Sequence, residues 1–234
     1  MINAVLLFPI IACLLMLIIR KKAFDTFMVN VYAILHFVIS VLLAAGVEYG
    51  KNPYFVIDNT NKIFMLVLSL VFLMVAFYNN GYVKTLKFND KKIRHYSAMI
   101  LIFVMAMSGT ILSTDLGTAW VFVEATTLSS AYLIYFNKTK HSIEAAWKYV
   151  FICSIGIALA FVGIILLNIS TGDINTLNYA QLYANAGSFD AIWLKLAFVF
   201  MLFGFGAKMG LAPVHFWLPD AHSEAPSPIS ALLS

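Results

Sequence analysis

The chain has 234 residues, of which 62% are hydrophobic and 11% charged, with a net charge of +4 and a mean hydropathy of +0.89. Soluble domains carry roughly 25% charged residues, so this composition leaves too little polar surface to dissolve a folded globule and places the chain in a lipid bilayer. The basic residues stand in short segments between apolar runs and not in a nucleic-acid-reading module, which excludes nucleic acid as a partner.

Apolar runs long enough to cross the roughly 30 Å hydrocarbon layer occur near 2–19, 28–47, 63–78, 97–114, 116–136 and 146–168, and a seventh begins at Ala191. The first run lacks a basic start and a small-residue cleavage site, and Arg20, Lys21 and Lys22 follow it. It is therefore a first span and not a signal peptide. Cys13 and Cys153 fall in separate runs without metal-ligand spacing, as packed, reduced thiols do. The longest polar connection is roughly 169–190, and no repeat or soluble linker interrupts the pattern. One all-α membrane domain results. Residues 1–96 supply helices one to three, and 97–234 supply helices four to seven and the start of an eighth.

Arg20, Lys21 and Lys22, then Lys84, Lys87, Lys91, Lys92 and Arg94, then Lys138 and Lys140 occupy alternate connections, 20–27, 79–96 and 137–142. The intervening connections hold only Lys51 and Lys62. The positive-inside rule places the first set in the cytoplasm and the N-terminus outside.

From Ala191 to Ala221 the chain runs without a basic loop for longer than one straight span needs, and Gly204, Gly206, Gly210, Pro213 and Pro219 interrupt it. The expectation is a broken seventh helix, since irregular backbone at membrane depth is tolerated where protein or a wet cavity shields it. The following PISALLS starts a further apolar run, and we expect a fragment cut inside helix eight.

Buried charge marks the chemistry. Lys208 sits in the broken segment, where an ammonium group costs at least about 2.5 kcal/mol unless a partner receives it. Glu124 lies eight residues into the fifth run, with Thr127 and Ala131 on its face. It is either a protonated core carboxyl tied to a hydroxyl or an ionisable relay partner. Lys148 follows Glu144 by four residues, which suits either an interfacial ion pair with a snorkelling lysine or a relay member. Lys195 reads as a snorkelling anchor and His36 as a packed, hydrogen-bonded core histidine. His215, Asp220, His222 and Glu224 lack a metal-binding arrangement, so they are expected to line the broken helix.

The segments VEATTLSSAYLIYF, EAAWKYVFICSIGIALA and GAKMGLAPVHFWLPDAHSEAPSPISALLS together resemble the antiporter-like, proton-translocating subunits of respiratory complex I, Mrp antiporters and energy-converting hydrogenases. The SEAPSPISALLS ending is most similar to the hydrogenase-4 component F type. The resemblance implies a fold of about 14 helices with two inverted repeats, of which this chain holds the N-terminal part. It assigns a proton relay to Glu124, Lys148 and Lys208, and no role to His222. It also implies a multi-pass protein of the inner or plasma membrane that moves protons or sodium. Other membrane subunits and a hydrophilic redox arm would be its partners, and it would carry no redox cofactor, in keeping with the lack of any haem, flavin or iron–sulfur ligand set in the sequence. The alternatives are a secondary cation/proton antiporter or small-solute transporter, which also uses broken helices and midplane charge, and a structural anchor, which has no need of Glu124 or Lys208.

Overall fold

The computed structural model describes residues 1–47, 54–85 and 88–234. These form ten α-helices and no strands: α1 (Ile2–Ile19), α2 (Lys22–Ala44), α3 (Asn59–Thr85), α4 (Asp90–Leu112), α5 (Leu116–Ile134), α6 (Lys140–Ser170), α7 (Tyr179–Asn185), α8 (Ala191–Met209), α9 (Trp217–Glu224) and α10 (Ser227–Leu233). Side-chain caps start several of them. Asn89 accepts from Lys92 N, Asp115 from Thr118 N, Thr139 from Ser142 N and Asp190 from Ile192 N, each meeting an amide that has no partner within its helix.

Six helices among the described residues are long and apolar enough to cross a membrane: α1, α2, α3, α4, α6 and α8. The fifth run, expected as a complete span, gives the 19-residue α5, which falls outside that set. Glu124 and the hydroxyls of Thr118, Thr126, Thr127, Ser129 and Ser130 dilute its apolar character. Thr126, Thr127, Ser129 and Ser130 are buried, and α5 packs between α4 and α6. Its hydroxyls bond back to its own carbonyls, as with Thr126 to Val123 O at 2.6 Å and Ser129 to Ala125 O at 2.7 Å.

Several expected connections are helical. The basic segment 20–27 shrinks to Arg20 and Lys21, Arg20 being left-handed at φ 53°. Of 79–96, residues up to Thr85 continue α3 and residues from Asp90 begin α4, so the 96/97 division falls within a helix. Helix six starts at Lys140 and places Lys148 two turns in. Polar residues continue these helices past their apolar runs into the interface, so the helices are longer than the runs. Lys51 and Lys87 lie outside the described residues.

Two ends of the bundle are distinct. At one, Lys22 Nζ donates to Val83 O at 3.0 Å, Lys92 Nζ lies 3.3 Å from the Phe88 ring centroid and 4.7 Å from that of Phe136, and Thr139 donates to Glu224. At the other, Val56 N donates to Leu112 O, and Leu116 N to Leu177 O, joining three connections. One core runs from Met16, Tyr32, Phe72, Tyr96 and Leu101 to Trp217 and Ile229. α10 folds back onto α3 and α5. The outer surface is apolar, with Ile18, Phe64, Met74, Phe151 and Ile192 exposed, as a lipid-facing surface requires.

Candidate functional site

The site forms where α6 and α8 cross, and small residues decide how close they come. A Cβ on Gly204 would stand 2.6 Å from Gly156 O, and a Cβ on Gly163 2.8 Å from Met201 N, so neither position has room for a side chain. Close backbone approach through small residues is a common membrane packing solution. Gly204 and Gly206, expected as breakers, lie inside regular α8. The helix ends at Gly210, whose φ of 75° suits the left-handed conformation that glycine adopts freely. Helical structure resumes at Trp217.

That crossing sets Lys208, in the last turn of α8, against Tyr149 of α6. Lys208 Nζ donates to Tyr149 Oη and lies 4.7 Å from its ring centroid. Tyr149 Oη and Ser130 Oγ of α5 are 2.6 Å apart, and Ser130 donates to Thr126 O at 2.6 Å. With an ammonium at Lys208 the donors run in one direction: Lys208, Tyr149, Ser130, Thr126 carbonyl. A backbone carbonyl cannot pass a proton on, so this chain clamps the lysine and does not conduct. Trp217 closes the site, stacking edge-on against Tyr149 at 4.9 Å and donating from Nε1 to Ala207 O at 2.9 Å.

Glu124 faces the same region. Its carboxylate lies within electrostatic reach of Lys208 and Tyr149. Its buried Oε2 has no hydrogen-bond partner, and no salt bridge joins it to Lys208 among the described residues.

Lys148 points elsewhere. Its Nζ lies 2.8 Å from Glu144 Oε1 on its own helix and 2.8 Å from Asp220 Oδ2 on α9. The pair foreseen from spacing exists, but a second carboxylate shares the lysine. These side chains remain 41%, 60% and 43% exposed in the order Lys148, Glu144, Asp220.

The remaining polar residues have separate partners. His222 Nδ1 lies 2.9 Å from Ser230 Oγ, and Glu224 accepts from Thr139 at 3.3 Å. His215 and Lys195 are exposed. His36 Nε2 lies 2.8 Å from Ser108 Oγ, whose own hydrogen goes to Val104 O. His36 Nε2 is therefore the donor. The sequence groups Glu124, Lys148 and Lys208 in one relay, whereas the structure sets Lys148 with Glu144 and Asp220; Tyr149, Ser130 and the partner of Asp220 are not singled out by the sequence. Adjacency to Lys148 was the only available signal for Tyr149.

Residues 113–234 match the family described as NADH:quinone oxidoreductase/Mrp antiporter, transmembrane. The hydrogenase-4 component F homolog of Methylacidiphilum infernorum (isolate V4) is 32% identical over 243 aligned residues, covering 99% of this chain and 50% of that protein. The chain thus spans half the length of that relative. A chain of the membrane-bound sulfane sulfur reductase, an archaeal respiratory membrane complex, superposes with a TM-score of 0.80 at 25% identity, covering 98% of this chain and 49% of its own. A chain of respiratory complex I from Thermus thermophilus shares the fold with a TM-score of 0.81 at 22% identity, covering 100% of this chain and 49% of its own. This multi-pass chain, whose sequence resembled that group from its motifs alone, belongs to the NADH:quinone oxidoreductase/Mrp antiporter family of transmembrane subunits.

Proposed function

We propose that this chain forms a proton-transfer module of an ion-translocating membrane subunit, coupled to a redox reaction carried out elsewhere in a multisubunit complex. The observation that carries this reading is the clamp on Lys208: an amine at the end of an apolar helix, held by Tyr149 and Ser130, with the unsatisfied Glu124 carboxylate in electrostatic reach. In low dielectric, desolvation and a nearby carboxylate act oppositely on a lysine's hold on its proton, so a small change in their separation loads or releases it. Neutral Lys208 would accept from Tyr149 where the ammonium donates, so their contact would survive both states while Tyr149 gives up its donation to Ser130.

In this reading Glu124, Lys148 and Lys208 form the relay, and Asp220 links Lys148 to the segment after the helix break. Residues 1–96 support the conducting portion in 97–234, within a broken-helix fold of about 14 helices. The N-terminus lies outside the inner or plasma membrane, and the basic end of the bundle faces the cytoplasm. The partners are neighbouring membrane subunits and a hydrophilic redox arm, and the transported ion is the proton.

The test is Glu124→Gln in the full-length subunit within its reconstituted complex. Redox-driven proton uptake into vesicles should fall severely while assembly and electron transfer persist, in sodium-free and sodium-containing buffer alike. An unchanged proton-to-electron ratio would return Glu124 to a packing role, and pumping that requires sodium would replace the proton as the transported ion.

A further inference from the structure

Away from the relay, α2 and α3 part at their basic ends to leave a cleft of about 650 Å³ lined by Lys22, Thr26, Phe27, Asn30, Asn80 and Lys84, among others. Among the described residues two cations face it. Lys22 is anchored by its bond to Val83 O, and Lys84 is exposed in the last turn of α3. The floor is an amide pair: Asn30 Nδ2 donates to Asn80 Oδ1 at 2.7 Å, and Asn80 Nδ2 returns the bond to Asn30 Oδ1 at 3.1 Å. Thr26 is committed to Lys22 O. The nearby carboxylate of Asp25 does not neutralise the cleft, since it is fully buried on the opposite face with Arg94 at 3.6 Å.

Below the cleft the same helices turn apolar. On α2 an exposed stripe follows through Phe27, Ile34 and Val38, and on α3 through Phe77, Met74 and Leu70. Cationic head space at the ends of two helices long and apolar enough to cross a membrane, next to a stripe of exposed apolar side chains, matches one chemical class in both parts.

We propose that this cleft binds the phosphate headgroup of an anionic phospholipid, with its acyl chains lying along the stripe formed by α2 and α3. Lys22 and Lys84 pair with the phosphate, as basic pockets between membrane helices attract anionic headgroups. The occupant is a lipid and not free phosphate, because the apolar groove adds burial that an inorganic ion cannot use.

Native mass spectrometry of the full-length protein, titrated with phosphatidylglycerol or phosphatidylcholine, tests this. Phosphatidylglycerol should be retained preferentially. The double variant Lys22→Gln/Lys84→Gln should weaken its binding by about 30-fold, given two near-surface charges. Phosphatidylcholine binding should fall far less, since its choline cation offsets the phosphate charge, and Lys22→Arg/Lys84→Arg should keep the preference and report a correctly folded cleft. Equal phosphatidylglycerol binding by wild type and the Gln double variant overturns the proposal. An equal loss in Lys91→Gln/Lys140→Gln, outside the cleft, overturns it as general surface charge. Displacement by millimolar inorganic phosphate overturns the lipid as source, and cryo-electron microscopy of the intact complex showing a neighbouring subunit filling the cleft overturns it in favour of a protein partner.

Discussion

Lys148 and Asp220, 72 residues apart in sequence and on different helices, meet at 2.8 Å. Because Glu144 also reaches Lys148 at 2.8 Å, the lysine is shared between a carboxylate of its own helix and one beyond the break after α8. A shared cation of this kind couples the position of α9 to the charge at α6.

Replacing Asp220 with Asn keeps the shape but removes that second carboxylate. The stability change should be small, because the pair is half-exposed and screened. Proton translocation by the full-length subunit should nevertheless drop roughly tenfold or more if the pair takes part in transfer. Wild-type pumping by Asp220→Asn would leave Lys148 as an interfacial ion pair only.

Gly204→Ala forces a methyl group into the backbone of α6, where Gly156 O would be 2.6 Å away. Overpacking of this sort costs about 1–3 kcal/mol, and here it also pushes Lys208 away from Tyr149. Thermal unfolding in detergent should show a clear loss for Gly204→Ala and little change for Gly187→Ala, whose added Cβ meets nothing within 4 Å. Similar melting of the two variants would show that α6 and α8 can separate freely.

Arg94 and Asp25 form a buried pair, the carboxylate with no hydrogen-bond partner and the guanidinium Nε at 3.6 Å. Arg94→Met strands the carboxylate and should destabilise the protein by about 3–5 kcal/mol, whereas the double change Asp25→Leu/Arg94→Met should be much milder. Thermal unfolding of both decides it; equal losses would mean that the charges do not interact.

The helical membrane fold was legible because apolar runs and basic punctuation are local signals, and Lys208 and Glu124 stood out because charge in such runs is expensive. Helix ends were not legible. Residues such as Lys84, Lys91 and Arg94 continue helices into the interface although they end a hydropathy window. Tyr149 and Ser130 escaped notice because tyrosine and serine are unremarkable on a helix until another helix brings a lysine to them. That approach depends on Gly204, whose role in the sequence looked like breakage and in the fold is contact. Asp220 reads from the sequence as a residue lining the broken helix, and its partner Lys148 is not legible because it lies 72 residues away.

Whether Lys208 holds and releases a proton is decided by pumping of the reconstituted full-length complex carrying Lys208→Ala or Lys208→Arg. With insertion and assembly matched to wild type, both variants should lose coupled translocation: alanine has no proton to hold, and a guanidinium keeps its charge without releasing one. Near-normal pumping by Lys208→Arg would contradict that role, leaving Lys208 a fixed structural cation held by Tyr149.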